Sequence, residues 1–265
     1  MGLLSDALHL RDGGVVSLVG AGGKTTLMFQ LARELAAQGR SVLTTTTTRI
    51  FVPTPEQSPT LFLARDLPAL RQKLEGRTRG GTHVTAAASV LDGSNKLAGY
   101  PPELIDALRQ AGLFHWILVE ADGSKRLPLK APAEHEPVIA RSSGLIVAVV
   151  GLEAVGKPLG DENVFRASLY SRLTGVALGS PVSAESVVCA LLAPEGIFRG
   201  SPHPSRRVVF LNQADDPVRR SAGQAIATSL LMRGRGEIDR VVVGSLRPEP
   251  QIVTRCALEH HTVRD

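Results

Sequence analysis

The most informative segment of this chain is Gly20-Ala21-Gly22-Gly23-Lys24-Thr25-Thr26. It follows Val15–Val19, an apolar run typical of a buried strand. It precedes residues 25–38, where leucines recur at helical spacing before a terminating glycine. A strand, a glycine-rich turn and Lys-Thr at a helix start form an arrangement that binds phosphate, because backbone N–H groups and the helix N-terminus face the anion. The segment therefore predicts a phosphate-binding loop.

Each residue type in this loop has a chemical reason to be there. Lys24 would reach the β- and γ-phosphates of GTP or ATP, and Thr25 would offer its hydroxyl to Mg²⁺. The glycines let the backbone approach the phosphates, because no Cβ stands in the way. The full P-loop pattern has a further glycine at the position of Leu18, so Gly20 begins a shortened Gly-x-x-Gly-Lys-Thr form.

The rest of the chain alternates short apolar runs with amphipathic stretches, which predicts parallel strands joined by helices. Strands are predicted at 15–19, 41–45, 61–63, 83–87, 116–120, 145–150, 208–211 and 241–243. Helices are predicted at 25–38, 66–74, 103–110, 164–173, 184–192 and 218–233. The predicted fold is α/β, a mostly parallel sheet with helices on both faces, resembling a P-loop NTPase. We expect a single domain over 1–265, in which the proline-rich start of residues 50–114 suggests an insertion.

Acidic and then basic residues follow the strand that begins at Trp116. Glu120 and Asp122 come at its carboxyl end, where a nucleotide-bound Mg²⁺ needs oxygen ligands, so both are candidate metal-binding and catalytic residues. Lys125, Arg126 and Lys130 follow, and this basic loop is a candidate site for an anionic substrate. The alternatives are capping carboxylates and a solvated loop.

Thr44–Thr48 is a run of five threonines at the end of the second predicted strand, 41–45. A hydroxyl there, represented by Thr46, is predicted to ligate Mg²⁺ or to sense the γ-phosphate. The alternative is the end of a β-branched strand, and the run is too uniform to distinguish its members.

Asn212 and Asp215 follow the apolar run 208–211 with the spacing of a guanine-specificity motif, although Gln213 replaces its usual lysine. A carboxylate can accept two hydrogen bonds from N1–H and the exocyclic amine of guanine, which adenine does not offer in that geometry. Asp215 is therefore a candidate base selector. The alternative is a helix N-cap beside Asp216 and Pro217.

Composition excludes several classes of function. The chain has 265 residues, 43% of them hydrophobic, and no apolar run approaches the ~20 residues of a membrane span. The N-terminus lacks the features of a secretory signal, which predicts a cytoplasmic protein without a membrane partner. Cys189 and Cys256 have no metal-ligand spacing. Scattered arginines and an aromatic content of 4% argue against a nucleic-acid partner.

Four motifs together resemble the YqeC family, described as accessory proteins for selenium-dependent molybdenum hydroxylases or as selenium cofactor biosynthesis proteins. They are Val19–Met28, Val42–Thr48, Val119–Lys125 and Pro128–Pro137. The resemblance spans residues 15 to about 246. It implies a P-loop-type nucleotide-binding protein that acts in maturation of a molybdenum- and selenium-containing cofactor. A molybdenum hydroxylase, or one of its maturation proteins, is the implied partner.

Two active functions and one passive function fit these observations. The first is a regulatory NTPase that delivers or inserts a cofactor, which the spacing of Asn212 and Asp215 favours. The second is an ATP-dependent biosynthetic enzyme with Lys125, Arg126 and Lys130 holding an anionic precursor, which the shortened loop favours, since it resembles that of the Mur-type peptide ligases. The third is a module that binds nucleotide without turnover.

Overall fold

The computed structural model describes residues 3–75 and 80–257. The helices are α1 Leu3–Ala7, α2 Lys24–Ala37, α3 Leu67–Leu74, α4 Pro102–Gln110, α5 Ala167–Thr174, α6 Ala184–Leu192 and α7 Pro217–Arg233. The first seven strands are β1 Gly14–Gly20, β2 Val42–Thr46, β3 Arg49–Phe51, β4 Leu61–Leu63, β5 His83–Ala87, β6 Ser89–Leu91 and β7 Lys96–Ala98. The others are β8 Trp116–Glu120, β9 Leu129–Lys130, β10 Ser143–Gly151, β11 Val164–Phe165, β12 Arg206–Asn212, β13 Arg240–Ser245 and β14 Gln251–Ala257.

A nine-stranded sheet forms the centre, in the order β14-β13-β12-β10-β1-β8-β2-β5-β4. Its neighbouring strands are parallel except for β13 and β14, which are antiparallel. β1 lies inside the sheet, between β10 and β8. Because all parallel strands point the same way, the loops after β1, β2, β8, β10 and β12 meet at one edge.

Helices cover both faces of this sheet. α1 and α2 pack on one face against Val16 and Leu18 of β1. On the other face, α3 and α4 cover one half of the sheet, and α5, α6 and α7 cover the other. Alternate residues of the central strands therefore enter different cores, as a strand buried on both sides requires. The predicted α/β class, with a mostly parallel sheet and helices on both faces, is confirmed.

Residues 50–114 contribute to two sheets. β4 and β5 extend the large sheet beyond β2. The short strands β3, β7 and β6 form a separate antiparallel sheet of three. Only two residues separate the end of β2 from the start of β3, so the small sheet lies directly beyond the strand that carries the threonine run.

The start of one predicted helix was misplaced, and several elements were not foreseen. The helix predicted over 164–173 begins only at Ala167, because β11 pairs with β9 and Arg166 then turns through a left-handed conformation with φ of 64°. Helix α1, the antiparallel edge strand β14 and the short strands β3, β6, β7, β9 and β11 were absent from the prediction. No helix of the described residues is both long and apolar enough to cross a membrane.

The start of α7 provides a test of local stability. The Asp216 carboxylate accepts a hydrogen bond of 2.9 Å from the Arg219 backbone N–H, which is an N-cap. We expect Asp216→Ala to lower the free energy of unfolding by about 1 kcal/mol, since an orphan donor of the first turn loses its acceptor. Asp216→Asn keeps an acceptor and should cost only a few tenths of a kcal/mol. Urea denaturation measures both unfolding free energies. Equal losses in the two variants would show that the charge of Asp216 is responsible rather than the capping hydrogen bond.

Candidate functional site

The glycine-rich loop is held in a conformation that only glycine adopts readily. Gly20, Gly22 and Gly23 have φ values of 94°, 81° and 131°. A Cβ on Gly22 would lie 2.4 Å from the Gly151 backbone nitrogen, so the space is closed as well. The buried Ala21 anchors the loop, because its N–H donates to the Val149 carbonyl at 2.8 Å.

The loop leads directly into the N-terminus of α2. The N-cap is Gly23, and no side chain caps the helix. The backbone N–H groups of the first turn, which includes Lys24, Thr25 and Thr26, have no acceptor within the helix. They point at the space above the loop, where the helix dipole also favours an anion.

Lys24 lies buried between the loop and two carboxylates. Its ammonium donates to the Gly20 carbonyl at 2.6 Å. It lies 3.1 Å from Asp122 Oδ1 and 3.7 Å from Glu120 Oε1. Burial by itself lowers the pKa of Lys24, but attraction to Asp122 and Glu120 outweighs it and the pKa is raised. The lysine therefore stays charged. Its ammonium can bind phosphate oxygens if the side chain turns away from the carboxylates.

Glu120 also contacts the hydroxyl that follows Lys24. Thr25 Oγ1 donates to Glu120 Oε2 at 2.6 Å. Burial raises the pKa of Glu120, against the opposing effects of Lys24 and Thr25. The strand end thus places one carboxylate against the lysine and the threonine of the loop at the same time.

Asp122 connects the loop to a second buried lysine. Its Oδ2 accepts from the Gly20 N–H and from Lys130 Nζ, both at 3.0 Å. Lys130 also donates to the Gly123 carbonyl at 2.7 Å and to Glu136 Oε2 at 2.6 Å. Lys130 is thus fully engaged inside the protein, whereas the sequence had indicated an anion-binding role in a loop.

Glu136 and Arg166 extend the ion pairs that begin with Lys24, Asp122 and Lys130. Their contact was not foreseen from the sequence. Arg166 Nη1 donates to Glu136 Oε2 at 2.6 Å. Burial would raise the pKa of Glu136, but hydrogen bonds from Arg166 and Lys130 lower it to about 2. His135, the neighbour of Glu136 in the same motif, is exposed. Arg166 is 30 residues from Glu136 in sequence, so no local pattern could indicate their contact.

The threonine run divides into two groups. Thr44 and Thr45 are buried in the sheet, where their hydroxyls contact Thr85 Oγ1 at 2.7 Å and the Ala86 carbonyl at 2.8 Å. Thr46 Oγ1 donates to the Glu120 carbonyl at 2.7 Å and accepts from the Thr48 N–H at 3.0 Å. Thr46 therefore braces the backbone of the acidic strand end.

Thr47, the next residue of the run, is only partly buried. Its hydroxyl donates to the Val138 carbonyl at 2.7 Å, and its N–H donates to the Glu120 carbonyl at 3.2 Å. Thr46 and Thr47 together fix the position from which Glu120 faces the loop.

The Lys125 and Arg126 side chains lie apart from the buried charges. Both are exposed, with φ values of 48° and 65°. The Lys125 ammonium lies 5.2 Å from the centre of the Phe165 ring, and the Arg126 guanidinium lies 4.2 Å from that of Phe51. Of the three predicted substrate-binding cations, only Lys130 joins the buried carboxylates.

Asn212 and Asp215 lie on the opposite side of the loop. Asn212 Nδ2 donates to the Gly22 carbonyl at 2.6 Å, and its Oδ1 accepts from the Leu246 N–H at 3.1 Å. Asp215 Oδ1 accepts from Ser245 Oγ. Asp215 Oδ2 lies 3.4 Å from Arg219 Nη1, and the side chain is 48% exposed. The helix N-cap is Asp216 rather than Asp215, which leaves Asp215 accessible to a ligand.

The chain is similar to known proteins over most of its length. A family model described as "YqeC protein" matches residues 16–168. The "Uncharacterized protein YqeC" of Escherichia coli (strain K12) is 37% identical over 243 residues, covering 91% of this chain and 91% of that protein. Among solved structures, chloroplast FtsY from Physcomitrella patens is similar with a TM-score of 0.47 and 14% identity, over 96% of this chain and 66% of that chain.

The low pKa of Glu136 gives the site a measurable pH dependence. Its folded pKa of about 2 lies below the ordinary glutamate value of 4.5. The stability that the ionised carboxylate contributes is therefore complete above pH 4.5 and is lost as the pH falls towards 2. Between about pH 6 and pH 3, the unfolding free energy of Glu136→Gln should therefore fall by roughly 1–2 kcal/mol less than that of wild type.

Denaturation at several pH values in this range tests the prediction. Glu134→Gln, which changes an exposed carboxylate in the same loop, is the matched control and should keep the wild-type slope. The same slope in wild type and Glu136→Gln would contradict the assignment.

Proposed function

The chain belongs to the YqeC family, and we propose that it binds a nucleoside triphosphate with Mg²⁺ and hydrolyses it. The observation that carries the proposal is the meeting of Lys24, Thr25, Glu120 and Asp122 above the glycine-rich loop. These groups come from two adjacent parallel strands, at the sheet edge where such folds bind ligands.

The phosphate end of the nucleotide would lie on the loop and on the first turn of α2. The loop from Gly20 to Thr26 supplies backbone N–H groups, and Lys24 supplies a charge that can turn from the carboxylates towards the β- and γ-phosphates. In that position Lys24 would stabilise the charge on the transferred phosphoryl group. Asp122 and Glu120 would then orient the lysine and a water molecule.

The residues present fit Mg²⁺. A hydroxyl and a carboxylate, from Thr25 and Glu120, meet at 2.6 Å, and both are hard oxygen ligands. Asp122 Oδ1 is buried and paired with the Lys24 ammonium at 3.1 Å, so this oxygen would become available to a metal-bound water when Lys24 turns to the phosphates. The described residues contain no cluster of three or more metal-ligating side chains. This suits an ion that is held mainly by phosphate oxygens and water. When bound, Mg²⁺ neutralises charge on the phosphates.

We propose guanine as the base. Asn212 joins the loop to the end of β13, and Ser245 at that end holds one oxygen of Asp215. The half-exposed Asp215 carboxylate can accept from N1–H and the exocyclic amine of guanine. With adenine, the same carboxylate would face a ring nitrogen lone pair, which costs binding free energy because both groups are acceptors.

The cellular role is inferred from the family resemblance. We propose a cytoplasmic accessory protein in maturation of the selenium- and molybdenum-containing cofactor of molybdenum hydroxylases, which uses the nucleotide state to assist cofactor delivery or insertion. The ATP-dependent biosynthetic enzyme is the second candidate. Against it, Lys130, one of its three proposed anion-binding cations, is already bound by Asp122 and Glu136.

Calorimetry with GTP and ATP in the presence of Mg²⁺ tests the function. We expect wild type to prefer GTP, and Lys24→Ala to lose on the order of a hundredfold in affinity, because a charged hydrogen-bond donor to phosphate is removed. Asp215→Ala should lose GTP affinity to a similar extent, while ATP binding stays unchanged.

A base-specificity exchange sharpens the test. Asp215→Asn presents an amide N–H, which suits the C2 carbonyl of xanthine and not the amine of guanine, so XTP should replace GTP as the preferred ligand. Asp216→Asn is the matched control and should prefer GTP. ATP preference that is indifferent to Asp215 would favour the biosynthetic enzyme.

The role of Thr25 in Mg²⁺ binding has its own test. Thr25→Val keeps the shape of the side chain but removes the hydroxyl, so the gain in GTP affinity on adding Mg²⁺ should fall by about tenfold. Thr26→Val, one residue further along the helix, should keep that gain. GTP titrations with Mg²⁺ or with EDTA measure the difference; an undiminished gain in Thr25→Val would exclude Thr25 as a ligand.

A further inference from the structure

Phe51 carries an unusual set of neighbours on the surface. Its side chain is 41% exposed. The Arg126 guanidinium lies 4.2 Å from the ring centre, and the Lys96 ammonium lies 5.0 Å from it. Phe51 and Lys96 face each other across β3 and β7 of the small sheet. An exposed ring and two cations thus form one surface.

A second ring lies near Lys125, the residue before Arg126. The Lys125 ammonium is 5.2 Å from the centre of the Phe165 ring. Lys125 and Arg126 both have left-handed backbone conformations, which cost free energy in residues other than glycine. This turn directs two neighbouring cations towards two different rings. Phe51, Lys96, Lys125, Arg126 and Phe165 are called the ring-and-cation surface below.

In the part of the chain that the structure describes, the cations of this surface have no anionic partner. Across residues 3–75 and 80–257, no carboxylate lies within ion-pair distance of Lys96, Lys125 or Arg126. Lys130 and Arg166, in contrast, are matched to Glu136. A guanidinium that stacks on a ring still presents its N–H donors at its edge, where they suit a phosphate.

The surface borders the phosphate loop. The residue after Arg126 is Leu127, whose carbonyl accepts from the Gly22 N–H at 3.0 Å. Phe51 follows four residues after Thr47, whose N–H donates to the Glu120 carbonyl. In the sheet, β8 and β2 lie on one side of β1, and β12, which leads to Asp215, lies on the other. The surface is therefore at the acidic end of the site, away from the proposed base.

We propose that the ring-and-cation surface binds a second ligand, a planar heterocycle that carries a phosphate group. The ring would stack on Phe51 and the Arg126 guanidinium, and the phosphate would bind Lys96 and Lys125. Such a ligand would lie beyond the γ-phosphate of the nucleotide, so the proposal rests on the proposed function for its role. In this proposal Lys125 and Arg126 bind the second ligand, whereas Lys130 stays with the buried carboxylates beside the nucleotide site.

Binding of flavin mononucleotide (FMN), a fluorescent phosphorylated heterocycle, tests this site. The titration is made with wild type in saturating GTP and Mg²⁺. We expect saturable binding that weakens about tenfold in Arg126→Gln and several-fold in Phe51→Leu, since each loses a stacking partner. Riboflavin, which lacks the phosphate, and glycerol 3-phosphate, which lacks the ring, should each bind at least about tenfold more weakly.

Two controls separate this site from the nucleotide site. Arg71→Gln removes an exposed arginine of α3 and should leave FMN binding unchanged. GTP affinity should be the same in wild type, Arg126→Gln and Phe51→Leu. No FMN binding, displacement of FMN by GTP, or an equal loss in Arg71→Gln would overturn the proposal. Arg126-dependent FMN binding by a protein that binds neither GTP nor ATP would support this site and refute the proposed function.

Discussion

A row of buried charges of alternating sign holds this site together. Lys24, Asp122, Lys130, Glu136 and Arg166 follow one another at distances of 3.1, 3.0, 2.6 and 2.6 Å. Removing a charge from water costs several kcal/mol, and neighbours of opposite sign offset that cost. Arg166, at the end of the row, has one such neighbour and is 22% exposed. The series can therefore be buried as a whole, whereas any single member would be left uncompensated.

This requirement constrains the backbone around it. The acidic strand end must meet the glycine-rich loop, so Asp122 accepts the Gly20 N–H as well as the lysines. The segment with Glu136 must fold back, and three of its carbonyls, those of Ala133, Glu134 and Glu136, accept from Arg199 Nη2. Loops that would otherwise be independent are thereby joined into one rigid support for Lys24.

The sequence was sufficient for the parts of the fold that depend on local pattern. Continuous apolar runs such as Trp116–Val119 predicted buried parallel strands, and the Gly-Lys-Thr turn predicted where they converge. The edge strand β14 alternates between exposed and half-buried residues, so it has no apolar run to reveal it. The start of α5 was misplaced because β11 depends on pairing with β9, about 35 residues away.

In the candidate site, residues next to a recognisable motif could be proposed from the sequence, and residues brought in from a distance could not. Lys24, Thr25, Glu120 and Asp122 follow from their positions at a strand end or a helix start. Arg166 and Ser245 act through partners that lie 30 residues away in sequence. Whether a lysine after the acidic strand end is buried or exposed also depends on packing, and this is why Lys125 and Lys130 have opposite environments.

The two hydrogen bonds of Asn212 have a thermodynamic consequence. Because this side chain ties the Gly22 carbonyl to the Leu246 N–H, the loop and the end of β13 cannot relax independently. A ligand that orders one of them has already met part of the entropic cost of ordering the other. The two ends of a nucleotide would therefore bind with positive coupling. A nucleoside and inorganic triphosphate supplied as separate molecules would recover only part of that free energy, as in the chelate effect.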